Sequence, residues 1–199
     1  MLFKAIASSL ALAATTLAQT TPAGFTPATN QTLDVYYGST YISPGLMVKK
    51  SSVASKPVIG VTGIEVSGKY LLAMIDIDVQ AQGGGSGRTT VLHALLQDYT
   101  PSTQKQNGST VLTTTANTPS SYFGPAPPAE NPKHPHNYVF LLHKQPDGFA
   151  VPSAHRQAVS SRFGIDWNKF IVDAKLSPPI AGNYLQVQSG DNTLKGRKL

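Results

Sequence analysis

The stretch YLLAMIDID, residues 70–78, alternates regularly along its length. Because successive side chains of a β-strand point to opposite faces, the even-numbered residues share one face and the odd-numbered residues share the other. The even face carries Tyr70, Leu72, Met74, Asp76 and Asp78. The odd face carries Leu71, Ala73, Ile75 and Ile77. The pattern predicts a largely buried strand that presents two carboxylates on one side at its end.

Other short apolar segments show the same period of two, which is typical of a mainly β protein. The predicted strands are Leu33–Tyr37, Val58–Val66, Tyr70–Asp78, Val91–Gln97 and Tyr138–His143. Residues 81–88 and 101–121 are rich in Gly, Ser, Thr and Pro, and we expect them to form long surface loops. No internal repeat or second-domain boundary interrupts this organisation.

One segment has helical rather than strand spacing. Asp166 can cap a helix in which Trp167, Phe170, Ile171 and Ala174 recur on one face. The two prolines after Ser177 predict the end of this helix. We expect the helix to pack against the sheet.

The histidines of the predicted strands fall on different faces. His136 and Tyr138 share a face with Phe140 and Leu142, whereas His143 points to the opposite side. His134 precedes the strand and could lie at a pocket mouth or in solvent. His93 shares its predicted face with Val91, Leu95 and Gln97, where a lone histidine is more often a core residue than a catalyst.

The first residues have the pattern of a secretory signal peptide. Lys4 precedes the apolar residues 5–17, which are too few to span a bilayer, and Ala18 ends a small-residue cleavage pattern. We expect a signal peptide at residues 1–18 and a single mature domain at residues 19–199. The later chain has no transmembrane segment, and the polar C-terminus argues against a lipid anchor. The expected product is a secreted, extracellular monomer.

Composition excludes several classes of function. The chain has no cysteine, so disulfides, thiolate metal sites and cysteine catalysis are excluded. Its net charge is +6, but the basic residues are scattered rather than clustered on one element, which argues against nucleic acid as a partner. Asn30 and Asn107 begin two acceptor sequons for N-glycosylation. We expect a glycoprotein without a metal or another cofactor.

Several motifs together resemble the phosphatidylethanolamine-binding proteins. FGPAPP followed by HNYVFLLHKQ, residues 123–145, is similar to the family's Gly-Pro-x-Pro-Pro and His-Arg-Tyr signature. YLLAMIDIDVQ lies where the family has an Asp-Pro-Asp-Ala-Pro motif, and VLHALLQDYTP resembles its next strand. RFGIDWNKF and PPIAGNYLQVQ look like its closing helix and strand. The resemblance implies an antiparallel β-sandwich with one or two short peripheral helices.

The resemblance also implies an anion-binding pocket. Its ligand-binding residues would be Asp76, Asp78, His93, Gly124, Pro125, Pro127, Pro128, His136 and Tyr138. Asp76 would orient an imidazole, and the Tyr138 hydroxyl and the imidazoles would bind a phosphate or carboxylate. Asp78 could pair with an amine on the ligand. No residue is assigned a catalytic role.

Three functions remain open at this point. The leading interpretation is a non-enzymatic module that binds a small anion or a phospholipid headgroup. Family members that inhibit serine carboxypeptidases suggest a peptidase as an alternative partner. A third alternative is an enzyme that converts a small metabolite, for example in secondary metabolism, by acid–base chemistry at Asp76, His93, His136 and Tyr138.

Overall fold

The computed structural model describes residues 20–81 and 87–189, so the predicted signal peptide lies outside the described residues. In chain order the strands are β1 (Asp34–Tyr37), β2 (Thr40–Tyr41), β3 (Leu46–Met47), β4 (Val58–Val61), β5 (Tyr70–Gln80), β6 (Arg88–Gln106), β7 (Ser109–Thr113), β8 (His136–Lys144) and β9 (Ala181–Val187). The helices are α1 (Arg156–Ser161) and α2 (Trp167–Asp173), with short 3-10 turns at Lys50–Val53 and Ser153–His155. The prediction of a mainly β fold with one or two short helices is confirmed.

The strands form one sheet that curls until its two ends meet. The strand order is β2-β1-β4-β7-β6-β5-β8-β9-β3, and every pair except β3 with β9 is antiparallel. The outermost strands, β2 and β3, are separated by only residues 42–45 in the chain. Leu33, just before β1, donates its N–H to the carbonyl of Gly182 in β9 at 2.8 Å. A seam between β1 and β9 therefore closes the curled sheet.

The two faces of the sheet bury two separate apolar cores. The inner core contains Tyr70, Leu72 and Met74 of β5. The outer core contains Leu71, Ala73 and Ile75, on which Trp167 and Phe170 of α2 pack. The faces predicted from the period of two in this strand are therefore confirmed. The same holds for β8, whose residues Tyr138, Phe140 and Leu142 are inside and whose residues Val139 and Leu141 are outside.

The predicted loop at residues 101–121 is wrong in its first half. Strand β6 continues to Gln106, and a tight turn at Asn107 and Gly108 leads directly into β7. Both turn residues have positive φ, 50° and 86°, as the two-residue turns of β-hairpins require. The Asn-Gly pair is the sequence signal for this hairpin, although we interpreted it only as part of a sequon. Predicted strand 58–66 also ends early, at Val61, before a turn at Gly63 with φ +76°.

A β-bulge changes the face on which His93 lies. Met74 pairs with Ala94 and the next residue, Ile75, pairs with Leu92, so His93 is an extra residue in β6. Leu92 and Leu95 consequently both belong to the outer core. The prediction that His93 shares a face with Leu95 is wrong, and the imidazole instead contacts Tyr138 of the inner face.

The helix predicted after Asp166 is present. The Asp166 carboxylate accepts a hydrogen bond from the backbone N–H of Lys169 at 3.0 Å, which caps α2 as expected. Within the described ranges, none of the helices has the length and apolar character needed to cross a membrane.

Asn183 of β9 holds the seam together. Its buried Nδ2 donates to the carbonyls of Leu33 at 2.7 Å and Ile42 at 2.8 Å, and its Oδ1 accepts from the N–H of Tyr184 at 2.7 Å. One side chain thus satisfies three backbone groups from both ends of the sheet.

We expect Asn183→Leu to lower the free energy of unfolding by roughly 2–4 kcal/mol, because it leaves buried backbone groups without partners. Urea denaturation measures this change. Asn168→Ala is the matched control, because Asn168 makes one exposed hydrogen bond to Thr26 and should change stability by less than about 0.5 kcal/mol. Equal losses in the two variants would contradict this account of the seam.

Candidate functional site

Asp76 and His136 form a buried hydrogen-bonded pair between the neighbouring strands β5 and β8. The pairing of β5 with β8 places Asp76 opposite Tyr138, two residues from His136. The distance from His136 Nδ1 to Asp76 Oδ2 is 2.8 Å, and the residues are 0% and 3% exposed. Asp76 Oδ1 accepts the backbone N–H of Asp78 at 2.9 Å. The structure thus brings together Asp76 and His136, two of the residues that the sequence predicts for the site.

The other nitrogen of His136 contacts an acid that the sequence interpretation missed. Glu130 comes from the proline-rich loop before β8, and its side chain is 2% exposed. Glu130 Oε1 lies 2.9 Å from His136 Nε2. Arg88, the first residue of β6, donates from both terminal nitrogens to the two Glu130 oxygens at 2.7 and 2.9 Å. The imidazole is therefore enclosed by two carboxylates, and one of them is also bound by a guanidinium group.

These contacts determine the protonation of the site. Burial by itself lowers the pKa of His136, but the hydrogen bonds and charges of Asp76 and Glu130 outweigh it and raise that pKa overall. The Arg88 guanidinium, helped by His136, lowers the pKa of Glu130 to about 2 against the opposing effect of burial. When the His136 ring is protonated, both of its N–H groups donate to carboxylates.

Asp76, Arg88, Glu130 and His136 together are called the His136 cluster. The aromatic side chains of His93 and Tyr138 form a wall next to it. His93 Nδ1 donates to the carbonyl of Phe123 at 2.9 Å, and the ring stacks on that of Phe123 at 3.9 Å between centroids. Tyr138 is fully buried and meets the edge of His93 at 4.9 Å. Burial lowers the pKa of His93 to about 4, and it also raises the pKa of Tyr138, with the Asp76 charge adding to that rise. Both side chains are therefore neutral near pH 7.

Asp78 lies beside the cluster with both carboxylate oxygens engaged. Its Oδ2 accepts from the backbone N–H and the Nδ2 of Asn137 at 2.8 and 2.7 Å. Its Oδ1 lies 3.2 Å from Nε2 of His134, whose side chain is 40% exposed. His134, which the sequence left unassigned, is thus partly exposed and contacts Asp78. A ligand amine would have to replace these contacts in order to pair with Asp78.

The predicted rim residues precede Glu130 in the same loop. A Cβ on Gly124 would lie 2.8 Å from the carbonyl oxygen of Val53, so this position needs a glycine for close packing against the 3-10 turn. Pro125 and Pro127 are buried, whereas Pro128 is exposed. The predicted site residues therefore lie on this loop and on strands β5, β6 and β8. Arg88 of β6 and Glu130 of the loop also contact the site, and the sequence interpretation did not include them.

Three clefts of about 420 to 490 Å³ lie elsewhere on the described surface, and none of them is lined by His136. Among residues 20–81 and 87–189 no three His, Asp or Glu side chains are arranged to hold a metal ion. At His136 itself, the Glu130 carboxylate fills the position next to Nε2.

Two proteins with related sequences cover most of the chain. One, from Talaromyces stipitatus, is named "Phomoidride biosynthesis cluster protein N"; it is 29% identical over 192 residues, which are 87% of this chain and 92% of that protein. The other is "Protein TWIN SISTER of FT" from Arabidopsis thaliana, with 27% identity over 168 residues, 83% of this chain and 84% of that protein.

Solved structures share the fold at lower identity. A carboxypeptidase Y inhibitor complexed with its cognate proteinase superposes with a TM-score of 0.61 and 23% identity, covering 80% of this chain and 84% of that chain. A phosphatidylethanolamine-binding protein from Plasmodium vivax gives a TM-score of 0.52 and 19% identity, with coverage of 78% and 83%.

The family model described as "Phosphatidylethanolamine-binding protein" matches residues 13–187, nearly the whole chain. This match includes all of the strands described above and every residue of the His136 cluster. The resemblance that the sequence motifs suggested is confirmed. The chain belongs to the phosphatidylethanolamine-binding protein family.

Proposed function

We propose that this protein binds a small anionic molecule, a carboxylate, a phosphate or a phospholipid headgroup, at His136. The observation that carries the proposal is the buried Asp76–His136 pair, whose second N–H is directed at an acidic group. An imidazolium that is fixed by one carboxylate can donate its second N–H strongly to another anion. The contact with Glu130 supports this, because a carboxylate already occupies that direction.

The proposed ligand site keeps the residues assigned from the sequence. They are Asp76, Asp78, His93, Gly124, Pro125, Pro127, Pro128, His136 and Tyr138. Asp76 orients the His136 ring and stabilises its charge, whereas the neutral His93 and Tyr138 form the inner wall. The positive charge that attracts the anion therefore comes from His136 and not from His93.

We expect the affinity for sulfate, whose charge is constant near neutral pH, to decrease as the pH rises through the pKa of His136. The contacts with Asp76 and Glu130 raise that pKa above its ordinary value of 6.5, so binding should be strongest in acidic solution and weaken as the pH rises through the raised value. His93 should add nothing until the pH approaches about 4. Isothermal titration calorimetry over this range measures the profile.

The control is His136→Asn, which keeps polar groups at the position but cannot titrate. Its residual sulfate affinity should be flat over the same range of pH. A profile with the same slope in this variant and in the unmodified protein would show that His136 does not bind the anion.

Native mass spectrometry of the purified protein tests the same proposal without a chosen probe. We expect a small acidic molecule to be retained by the unmodified protein and to be lost from His136→Ala. Retention of the same molecule by both proteins would place the ligand elsewhere.

A second candidate function is acid–base catalysis on a small metabolite. The relative from Talaromyces stipitatus is named for a biosynthesis cluster, and His136 is held between two carboxylates as in a proton-transfer site. As an imidazolium, His136 could donate a proton but has no lone pair with which to accept one. Full turnover in the combined His136→Ala and Asp76→Asn variant would exclude this site as the catalyst.

A third candidate is inhibition of a serine carboxypeptidase, which is supported by the fold shared with the carboxypeptidase Y inhibitor. Such an activity would use a protein-binding surface outside the His136 site, at the N-terminal end of the mature chain. A peptidase assay with the mature protein separates this candidate from the leading one. If the protein acts only by binding a small anion, the peptidase retains its full rate.

Secretion and glycosylation are part of the proposal. Asn30 and Asn107 are exposed, which is compatible with attached glycans. We expect the secreted chain to begin at Gln19 and to migrate faster after endoglycosidase treatment. N-terminal sequencing of the protein from the culture medium of a eukaryotic host checks the cleavage site, and an unprocessed Met1 would contradict it.

A further inference from the structure

Glu130 is an unusual residue for its position in the fold. Its neighbours Ala129, Asn131 and Lys133 are exposed, whereas the Glu130 side chain turns inward and is almost completely buried. Burial of a carboxylate has a high desolvation cost unless charged partners offset it. The loop therefore directs one acidic group into the site while the rest of it stays in solvent.

The hydrogen bonds of Glu130 are all made by its two carboxylate oxygens. Arg88 contacts both oxygens in a side-by-side arrangement, and His136 contacts one of them. This planar geometry is the usual one between a guanidinium and any carboxylate. The same three donor atoms could bind the carboxylate of a separate molecule in the same way.

Side chains hold this part of the loop in place. In the described part of the chain, residues 129–133 make no backbone–backbone hydrogen bond outside their own segment. The loop is anchored here by Glu130 and, four residues later, by the contact of His134 with Asp78. The contacts of Glu130 can therefore be exchanged without breaking a strand or a helix.

The charges around Glu130 indicate what kind of group must take its place when it moves away from Arg88 and His136. Arg88 is cationic, the two carboxylates beside His136 raise its pKa and so favour its charged form, and the nearby Asp76 is already hydrogen-bonded to Nδ1 of His136. Arg88 also donates to the backbone carbonyl of Asp78 at 2.7 Å, which keeps its guanidinium close to the site, and its side chain is 32% exposed. A carboxylate arriving from solvent can therefore contact Arg88 first, and it can contact Nε2 of His136 once Glu130 has left that nitrogen.

We propose that Glu130 occupies the place of the ligand's carboxylate, so that the protein binds small organic carboxylates by displacing Glu130 from Arg88 and His136. This inference rests on the proposed function and adds two things to it. Arg88 becomes a ligand-binding residue, and Glu130 becomes an internal competitor that sets the affinity. The ligand's carboxylate replaces the Glu130 carboxylate in equivalent ion pairs, so these contacts alone give little net binding free energy. The net affinity comes from the contacts that the remaining part of the ligand makes.

Removing the competitor tests the inference. We expect Glu130→Ala to bind acetate at least about tenfold more tightly than the unmodified protein, because the binding-competent state is then no longer a minor one. Titration with acetate at constant ionic strength, followed by NMR of the His136 ring, measures both affinities. In the double variant Arg88→Gln and Glu130→Ala the gain should disappear.

The matched control is Glu65→Ala, which removes the chain's other glutamate from an exposed position. It changes the net charge equally and should leave acetate affinity unchanged. Equal affinities in Glu130→Ala and Glu65→Ala would overturn the inference. A gain for inorganic phosphate but not for acetate would overturn the assignment of a carboxylate ligand.

A second measurement needs no variant and therefore does not depend on folding of Glu130→Ala. Hydrogen exchange at the amides of residues 129–134 should become faster in high sodium acetate than in sodium chloride of equal concentration, because displaced Glu130 releases the loop. Equal exchange in the two salts would overturn the displacement step.

The experiments distinguish a failure of the displacement of Glu130 from a failure of anion binding at His136. If native mass spectrometry finds a His136-dependent ligand while Glu130→Ala gains no acetate affinity, only the role given to Glu130 is wrong. If neither His136-dependent binding nor an acetate gain is observed, both proposals are wrong.

Discussion

The buried carboxylates of Asp76 and Glu130 are the constraint on which the site depends. A carboxylate that is buried away from water needs a cationic or hydrogen-bonding partner. His136 supplies a donor to each, and Arg88 supplies two more to Glu130. This requirement fixes the orientation of the His136 ring, raises its pKa, and holds the loop before β8 against the sheet. The anion site and the path of this loop are thus consequences of the same charge balance.

The parts of the structure that could be predicted from sequence are those governed by local periodicity. Alternation along β5 and β8 assigned their residues to the correct faces and placed His136 with Tyr138, because a regular strand has a period of two. Asp166 identified the start of α2 because an N-cap depends only on the following turn of chain. Such features need no knowledge of distant residues.

The parts that were missed depend on irregularities or on distant contacts. The bulge at His93 reverses the face of the residues that follow, and only pairing with β5 reveals it. Arg88 and Glu130 lie 42 positions apart in the sequence. Arg88 is in a strand and Glu130 is in an irregular loop, so no periodic pattern connects them. A signal for Glu130 does exist, since it is one of the chain's two glutamates and lies between the Gly-Pro motif and His136. Its burial could not be inferred from that loop's polar composition.

The closure of the sheet at the Asn183 seam has a consequence for association between molecules. Exposed edge strands offer unpaired backbone groups to which other chains can add, which leads to aggregation. Here both outer strands, β2 and β3, are two residues long, and the segment 42–45 links them across the seam. Little backbone in the described part of the sheet is left for another strand to extend. A chain without cysteines thereby gains protection against intermolecular β-pairing from its topology alone.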